Sequence, residues 1–538
     1  MSNADTNTAF LRLSRRAEAV DRSKLIQTFV DIGPLFTLLS SRDHQILFGR
    51  RGTGKTHALM YLMGAIADHG DVPVYIDMRR VGSTGGIYGD PSIPIRERAT
   101  RLLMDTLAAI HEQLLNFALD ADEGSLNLSQ LGPRLDELAT ASTEVRVVGT
   151  IQVEQTCGLA RSTERHSEVD ISASVSGVPL HVGGGRRRQD EEEHWTRSTE
   201  SGDIQHRVHF GRVGTALERV VEGLPGRHVW IALDEWSVVP MELQPYLSDL
   251  IRRSILPTPG FTVKIGAIEQ RTALKVPQAG GDYLGIEVGA DAAADVNLDD
   301  FMVFENDPGR SKTFFSELIF KHYLSAAEEL ALAYQPKRAS QLTQLAFTQD
   351  NTFEELVRAS EGVPRDAINI LAVAAQRAGD NPISIDQVRA AARTWYQRDK
   401  EAAVSANPRA EALLHWIIDQ VIAHRRARAF LLRSDANSDL IDALFDARVL
   451  HLLKRNVSTH DQPGVRYNVF KIDFGCYVDL LTTVRTPKGL LPGGDSDSEN
   501  VFFDVPPEDY RAIRRAILDL ADFSSSIDSG RSRIELEE

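Results

Sequence analysis

The sequence predicts an α/β fold organised on a parallel sheet, followed by a helical domain and a small C-terminal domain of winged-helix type. Three observations carry this. The apolar run Ile46-Leu47-Phe48 leads straight into Gly49-Arg50-Arg51-Gly52-Thr53-Gly54-Lys55-Thr56, a G-x-x-x-x-G-K-[ST] loop, and then into the amphipathic run from His57 to Ala67. Two later apolar runs of buried-strand type, Val229-Trp230-Ile231-Ala232-Leu233 and residues 261–268, end in polar residues. From Asp307 onward the apolar spacing becomes that of helices.

Composition narrows the classes available. A chain of 538 residues with 42% hydrophobic residues can supply several cores. Its two cysteines, Cys157 and Cys476, exclude a disulfide framework and a cysteine zinc site, which fits a reducing compartment. The start of the chain lacks a basic region followed by an apolar core, and no stretch of about 18 apolar residues occurs, so a cytoplasmic protein without a membrane partner is expected. The net charge of −16 excludes a general basic coat for nucleic acid, so any such contact is local. No repeat of solenoid or propeller period is present.

The glycine-rich loop has a direct chemical reading. Gly49, Gly52 and Gly54 let backbone N–H groups close around a polyphosphate, with Arg50, Arg51 and Thr53 completing the loop. Lys55 is placed for the β- and γ-phosphates and the Thr56 hydroxyl for Mg²⁺ at the first turn of the next helix. Phosphoryl transfer also needs a metal anchor and a group that orients water. Asp234 and Glu235, at the end of the run 229–233, supply both: Asp234 as the second metal residue and Glu235 as the candidate general base.

The strand-like run 261–268 ends in Glu269-Gln270-Arg271, where a polar residue can sense the γ-phosphate between the two other motifs. Farther along, Gly362-Val363-Pro364-Arg365-Asp366-Ala367 opens a helix through Ala378, and Arg365 can fold back onto the phosphates. Arg252 and Arg253 follow a helix-like stretch after Glu235. By themselves they read as a solvated pair favoured by the helix dipole.

With GRRGTGKT, IALDEW, the Gln270-Arg271 region and GVPRDA in hand, the chain resembles the AAA+ and STAND group of P-loop ATPases, most closely the origin-recognition-type initiators and their bacterial relatives. The resemblance spans roughly residues 21–400. It implies ATP and Mg²⁺ as ligands, ATP hydrolysis, homo-oligomers, duplex DNA as a partner of the winged helix, and a setting in bacterial genome maintenance or phage defence. It implies a sensor arginine on the helical lid, matching Arg365, a finger reaching a neighbouring copy's site at Arg252 and Arg253 as the alternative to a solvated pair, and in a defensive setting a separate effector protein. AAA+ members usually carry Asn or Thr at the first sensor, whereas Glu-Gln-Arg is closer to the STAND pattern, so Glu269, Gln270 and Arg271 all stand as candidates. No Asn-Lys-x-Asp guanine reader is present, and no nuclease, protease, deaminase or methyltransferase motif; His44 and Asp77 lack metal-ligand or triad spacing.

The organisation read from the sequence is an N-terminal arm (1–20), a nucleotide-binding core (21–305), a helical lid (306–400), a winged-helix-like domain (405–490), and a linker, terminal helix over 507–523 and acidic tail (491–538). Within the core, residues 143–210 alternate apolar and polar, predicting a β-rich insertion. Its Gly183-Gly184-Gly185-Arg186-Arg187-Arg188 tip is a partner contact or a solvated loop whose charges cancel against Asp190 to Glu193. In the C-terminal domain a helix is expected over 410–432, a second over 438–447, then a hairpin from Val449 to Asp473. Residues 401–490 carry about +2 against about −18 elsewhere, so Arg425, Arg426, Arg428, Arg433, Lys454, Arg455 and Arg466 are candidates for a basic face. The acids Asp435, Asp439, Asp442 and Asp446 share the segment, which leaves a protein-docking role equally open. The alternative for the whole chain is a scaffold that keeps its nucleotide as a structural ligand.

Overall fold

A computed structural model describes residues 3–13, 21–31, 35–82, 86–121, 126–142, 145–148, 151–154, 170–171, 197–200, 203–206, 208–278, 281–301, 307–332, 335–425, 427–436, 438–458, 464–482 and 516–523. Strands β1 (Gln45–Phe48), β2 (Val72–Asp77), β3 (Val229–Asp234), β4 (Phe261–Ala267) and β5 (Ala293–Asn297) form one parallel sheet in the order β5-β1-β4-β3-β2. β3 and β4 are buried at every position, which is why they read as unbroken apolar runs rather than as alternating ones. Successive residues of β3 divide between two cores. Trp230 and Ala232 join Leu59 and Leu62 of α1 (Lys55–Asp68), whereas Ile231 and Leu233 join Leu103 and Leu107 of α2 (Ile95–Asp120) and Leu217 of α3 (Phe210–Glu222).

Between helix Leu128–Ser142 and α3 the backbone turns to antiparallel pairing. Val145–Val148 pairs with Asp203–His206 and with Asp170–Ile171, and Ile151–Glu154 pairs with Arg197–Glu200. The period-two run near Val145 is therefore β structure as expected. The basic-then-acidic tip over 183–193 lies outside the described residues.

After β3 come α4 (Gln244–Leu250) and a wider turn, Ile251–Ile255, that carries Arg252 and Arg253. The helical lid follows β5. Its helices α5 (Pro308–Glu329), α6 (Asp350–Ala359), α7 (Pro364–Ala378) and α8 (Ile385–Trp395) share the α1 side of the core through Phe315, Leu356, Leu371 and Val388. Pro364 at the first position starts α7, and Ser384 and Gln387 form a reciprocal capping box that starts α8.

The N-terminal arm expected over 1–20 is corrected: Asn3–Leu11 is a helix docked on the lid. Ala9 and Phe10 are fully buried, Phe10 meets Tyr323 edge-on at 5.8 Å, and Asn7 donates to the carbonyls of Gly379 and Asn381. Docking on a preformed surface, rather than local propensity, holds so short a helix.

The C-terminal unit is a three-stranded antiparallel sheet, β6 (Ala429–Arg433), β7 (Leu450–Ser458) and β8 (Arg466–Ile472), in the order β6-β8-β7. It packs with α9 (Pro408–Ile418), α10 (Asp439–Asp446) and α11 (Phe474–Thr482), and its own core includes Leu413, Phe430, Phe445, Val469 and Tyr477. The single helix expected over 410–432 is corrected. The helix ends at Ile418, a wider turn covers Asp419–His424, and Ala429–Arg433 is the edge strand paired with β8. Ala-Phe-Leu-Leu is a short apolar run, which periodicity alone cannot assign to helix or strand. The terminal helix expected over 507–523 is corrected at the start of its described part, where Ile517 forms a parallel bridge with Leu431 and Leu518 N–H donates to the Leu431 carbonyl; residues 520–523 are helical. Among the described residues no helix is long and apolar enough to cross a membrane.

Candidate functional site

The loop from Gly49 to Gly54 joins β1 to α1 at the C-terminal edge of the sheet, where open α/β sheets bind ligands. Gly52 and Gly54 hold φ of 87° and 102°, left-handed values open to glycine and strained for other residues. Gly54 is also the N-cap of the 14-residue α1, so the first unpaired N–H groups of that helix face the loop, with the positive end of its dipole. Lys55 is buried, and its Nζ donates to the carbonyls of Gly49 at 2.7 Å and Arg50 at 3.0 Å. Burial holds its pKa below the usual lysine range, opposed by the nearby carboxylates of Glu235, Asp234 and Asp299. Thr53 Oγ donates to the Arg50 carbonyl. Thr56 is the second residue of α1, beside Lys55, and Arg51 is exposed.

The sheet order sets β4 between β1 and β3, so the three motif-bearing strand ends are neighbours. Asp234 is fully buried; its Oδ2 accepts from the Tyr75 hydroxyl at 2.8 Å and its Oδ1 from the backbone N–H of Glu235. Gly266 of β4 makes room for it, because a Cβ there would lie 2.7 Å from Asp234 Oδ1 and 2.9 Å from Leu59. Glu235 has φ 55° and ψ 36°, a left-handed conformation that costs a non-glycine residue about 1–2 kcal/mol. Strain of this kind concentrates where the fold must aim a side chain.

Arg365 reaches the loop from the lid. Its backbone N–H donates to the Gly52 carbonyl at 3.2 Å, and a Cβ on Gly52 would lie 2.8 Å from Arg365 Cβ. Its charge is felt by Lys55, so two cations act at one loop within reach of the carboxylates of Glu235, Asp234 and Asp299.

The other candidates fall elsewhere. Glu269-Gln270-Arg271 forms a single turn after β4, with Glu269 paired to Arg455 and hydrogen-bonded to Asn297, and Arg271 paired to Asp446. Arg252 and Arg253 both pair with the buried Asp249, at 3.0 and 2.8 Å, and Arg252 also stacks on Tyr283. Neither meets a motif residue of its own chain in these pairings. In the basic set of the C-terminal unit, Arg428 is corrected: it is buried and paired with Glu361, so it is no part of an exposed face. Arg426 lies outside the described residues.

Sequence reasoning missed Tyr75, Asp299 and His451. Asp299 accepts from both the backbone N–H and Nε of Arg50, and His451 accepts from the Arg50 guanidinium. Tyr75 lies two residues before the end of a strand already identified; in register it stands opposite Ala232, and its hydroxyl reaches Asp234 two residues farther along β3, an encounter that no spacing in the sequence signals.

Residues 13–66 match the model of the ORC-CDC6-like family. That segment holds the whole phosphate loop. The chain resembles an origin-recognition-type AAA+ ATPase. No curated protein matches the chain. Solved structures with some likeness include Cdc6p from Pyrobaculum aerophilum, at 12% identity, covering 88% of this chain and 96% of that one with a TM-score of 0.31. Another is the Aeropyrum pernix Orc1 protein in complex with DNA, at 14% identity, 88% and 96% coverage and a TM-score of 0.30. Scores of this size carry no argument about this chain; the motif geometry and the ORC-CDC6-like segment do.

Proposed function

We propose that the protein is a Mg²⁺-dependent ATPase of AAA+/STAND type, a switch or oligomeric motor that acts on DNA or with a DNA-acting partner. The observation that carries this reading is the contact of Arg365 with Gly52, which brings a lid arginine onto a loop that already holds Lys55, next to Asp234 and Glu235. The donor set fits a triphosphate with its metal: glycine-rich backbone, a helix N-terminus, two cations for phosphate oxygens, and carboxylates for a divalent ion.

The residues then divide the work. Lys55 and Arg365 bind and orient the terminal phosphates. Thr56 and Asp234 would hold Mg²⁺, which neutralises phosphate charge when bound. Glu235 takes a proton from the attacking water, and its strained backbone aims the carboxylate toward the loop. ATP bridging core and lid would change the angle between them, and so the way neighbouring copies or DNA are engaged. The small sheet with α9 and α10 supports a winged-helix reading of the C-terminal unit, with Arg425, Lys454, Arg466 and Arg433, the last paired with the exposed Asp435, as its candidate DNA contacts.

A second reading, a signalling scaffold with negligible turnover, is favoured by one observation: Arg428 and Arg455 are used on acids of the lid and core rather than offered outward. ATP turnover by the full chain, with and without duplex DNA and beside Lys55→Ala, tests the two. DNA-stimulated turnover lost in the variant supports the DNA-linked ATPase. Tight binding without turnover supports the scaffold, and equal behaviour of wild type and Lys55→Ala removes both.

A further inference from the structure

Arg50 belongs to the phosphate loop by its backbone and to the C-terminal unit by its side chain. Its carbonyl accepts from Lys55 Nζ at 3.0 Å and from Thr53 Oγ at 2.8 Å. Its guanidinium, with the side chain only 4% exposed, donates to Nδ1 of His451 on β7 and lies 5.1 Å from the Phe445 ring centre on α10. Asp299 fixes the near end of the side chain at 2.8 Å. A charged side chain held this way leaves its own main chain little freedom, and that main chain is what anchors Lys55.

His451 is itself immobilised. Burial holds its imidazole well below the usual histidine pKa, so the ring is neutral, with Nδ1 as acceptor for Arg50 and Nε2–H as donor to Asp473 at 3.1 Å. Asp473 also accepts from Lys400, Lys400 pairs with Asp366 one residue after Arg365, and Arg448 pairs with Asp366. Glu361, just before the Arg365 turn, takes Arg428 and Lys471 on its two oxygens. Glu269 and Arg271 pair with Arg455 and Asp446. The phosphate loop itself, the turn after β4 and the start of lid helix α7 are therefore each joined to the C-terminal unit by an ion pair or charged hydrogen bond.

Glu361, His451 and Asp473 are residue types that bind metals, and their ligand atoms lie within 4.8 Å of one another. Four cationic side chains, those of Arg428, Lys471, Lys400 and Arg50, already occupy those atoms, so the cluster is an ionic junction.

We propose that Arg50 is a positioning residue for Lys55, held in register by His451 and Phe445, so that docking of the C-terminal unit and nucleotide affinity are coupled through the phosphate loop. The proposal rests on the nucleotide-binding reading above. Coupling of this kind is reciprocal: displacing the unit weakens nucleotide binding, and bound nucleotide tightens the unit.

The test uses the full chain and two readouts, affinity for a fluorescent ATP analogue and backbone hydrogen exchange in residues 450–458 with and without it. His451→Ala is expected to weaken binding by about 5–150-fold, the usual span of such coupling. His451→Gln, whose amide can accept from Arg50 and donate to Asp473, is expected to restore most of the loss. Nucleotide should slow exchange in β7 of the wild type and have no such effect in Arg50→Ala. Wild-type affinity in both His451→Ala and Arg50→Ala, or exchange in β7 that ignores bound nucleotide, overturns the coupling while leaving the ATPase reading intact. Failure of the wild type to bind, matched by Lys55→Ala, overturns both.

Discussion

The backbone N–H of Arg365 donates to the carbonyl of Gly52, tying the first turn of a lid helix to the middle of the phosphate loop across more than three hundred residues of sequence. The contact is tight because Gly52 has no side chain; a Cβ there would lie 2.8 Å from Arg365 Cβ and 3.1 Å from Val363. Gly52→Ala should therefore push the lid off the loop as well as strain a left-handed residue, at a cost of about 1–3 kcal/mol. Chemical denaturation reads the stability loss, and titration with an ATP analogue should show at least about tenfold weaker binding, since 1.4 kcal/mol is a factor of ten.

Glu235 separates strain from chemistry. Glu235→Gln removes the proposed general base and keeps the shape, so turnover is expected to fall by about 10²–10⁴ with ATP binding retained. Glu235→Gly also removes the base but relieves about 1–2 kcal/mol of left-handed strain, offset by about 0.5–1 kcal/mol from the freer unfolded chain. Its stability should equal or exceed that of the wild type while turnover is lost. A glycine variant that melts early would mean that the side chain serves the fold.

Tyr75→Phe deletes the hydroxyl that donates to Asp234 Oδ2 and leaves a fully buried carboxylate oxygen short of a partner. The expected loss is about 1–3 kcal/mol in stability. Denaturation without nucleotide should show it, and saturating Mg²⁺ with an ATP analogue should reduce it, because a metal held by Asp234 would give the carboxylate a new partner.

Burial keeps several histidines neutral. His322 is pushed down to about 3 from 6.5, with His57 beside it, and His57 itself is lowered by burial, with Lys321 adding to the effect. His451 is lowered by burial among Arg50, Lys400 and Lys471, opposed by Glu361. In each case the unfolded chain takes up a proton that the folded one refuses, so the stabilisation is complete above pH 6.5 and is lost as pH falls below it. Each such histidine adds a slope of about 1.4 kcal/mol per pH unit. Denaturation midpoints between pH 7.5 and 4.5 should fall accordingly, and His322→Gln should flatten the curve.

Arg252 and Arg253 share one buried acid, Asp249, which presents them side by side, Arg253 with half its side chain exposed at 53%. Sedimentation of the full chain with a slowly hydrolysed ATP analogue should show an oligomer, the condition for this pair to reach a neighbour's site. A monomer at every concentration would remove both from the chemistry.

Much of this site was legible because its elements announce themselves locally. GRRGTGKT needs its glycines within one loop, the acids of Asp234-Glu235 end a run buried on both faces, and Gly362-Val363-Pro364 marks a helix start. What was not legible is assembled from afar. His451 meets Arg50, and Glu361 meets Arg428, with no spacing that signals the encounter. Phe430 and Leu431 read as helix because four apolar residues fit either period, and only pairing with β8 decides them. Asn3–Leu11 carries little helical signal of its own and is held by the lid it docks on.

That docking has a consequence for the order of synthesis. Asn7 and its acceptor Gly379 are separated by 372 residues, so helix Asn3–Leu11 has no seat until the lid has been made. At roughly 5–20 residues per second the wait is about 20–70 s, during which Ala9 and Phe10 stay uncovered. A holding chaperone has a defined target in that interval, and a slowly translated stretch between the sheet and the lid would lengthen it.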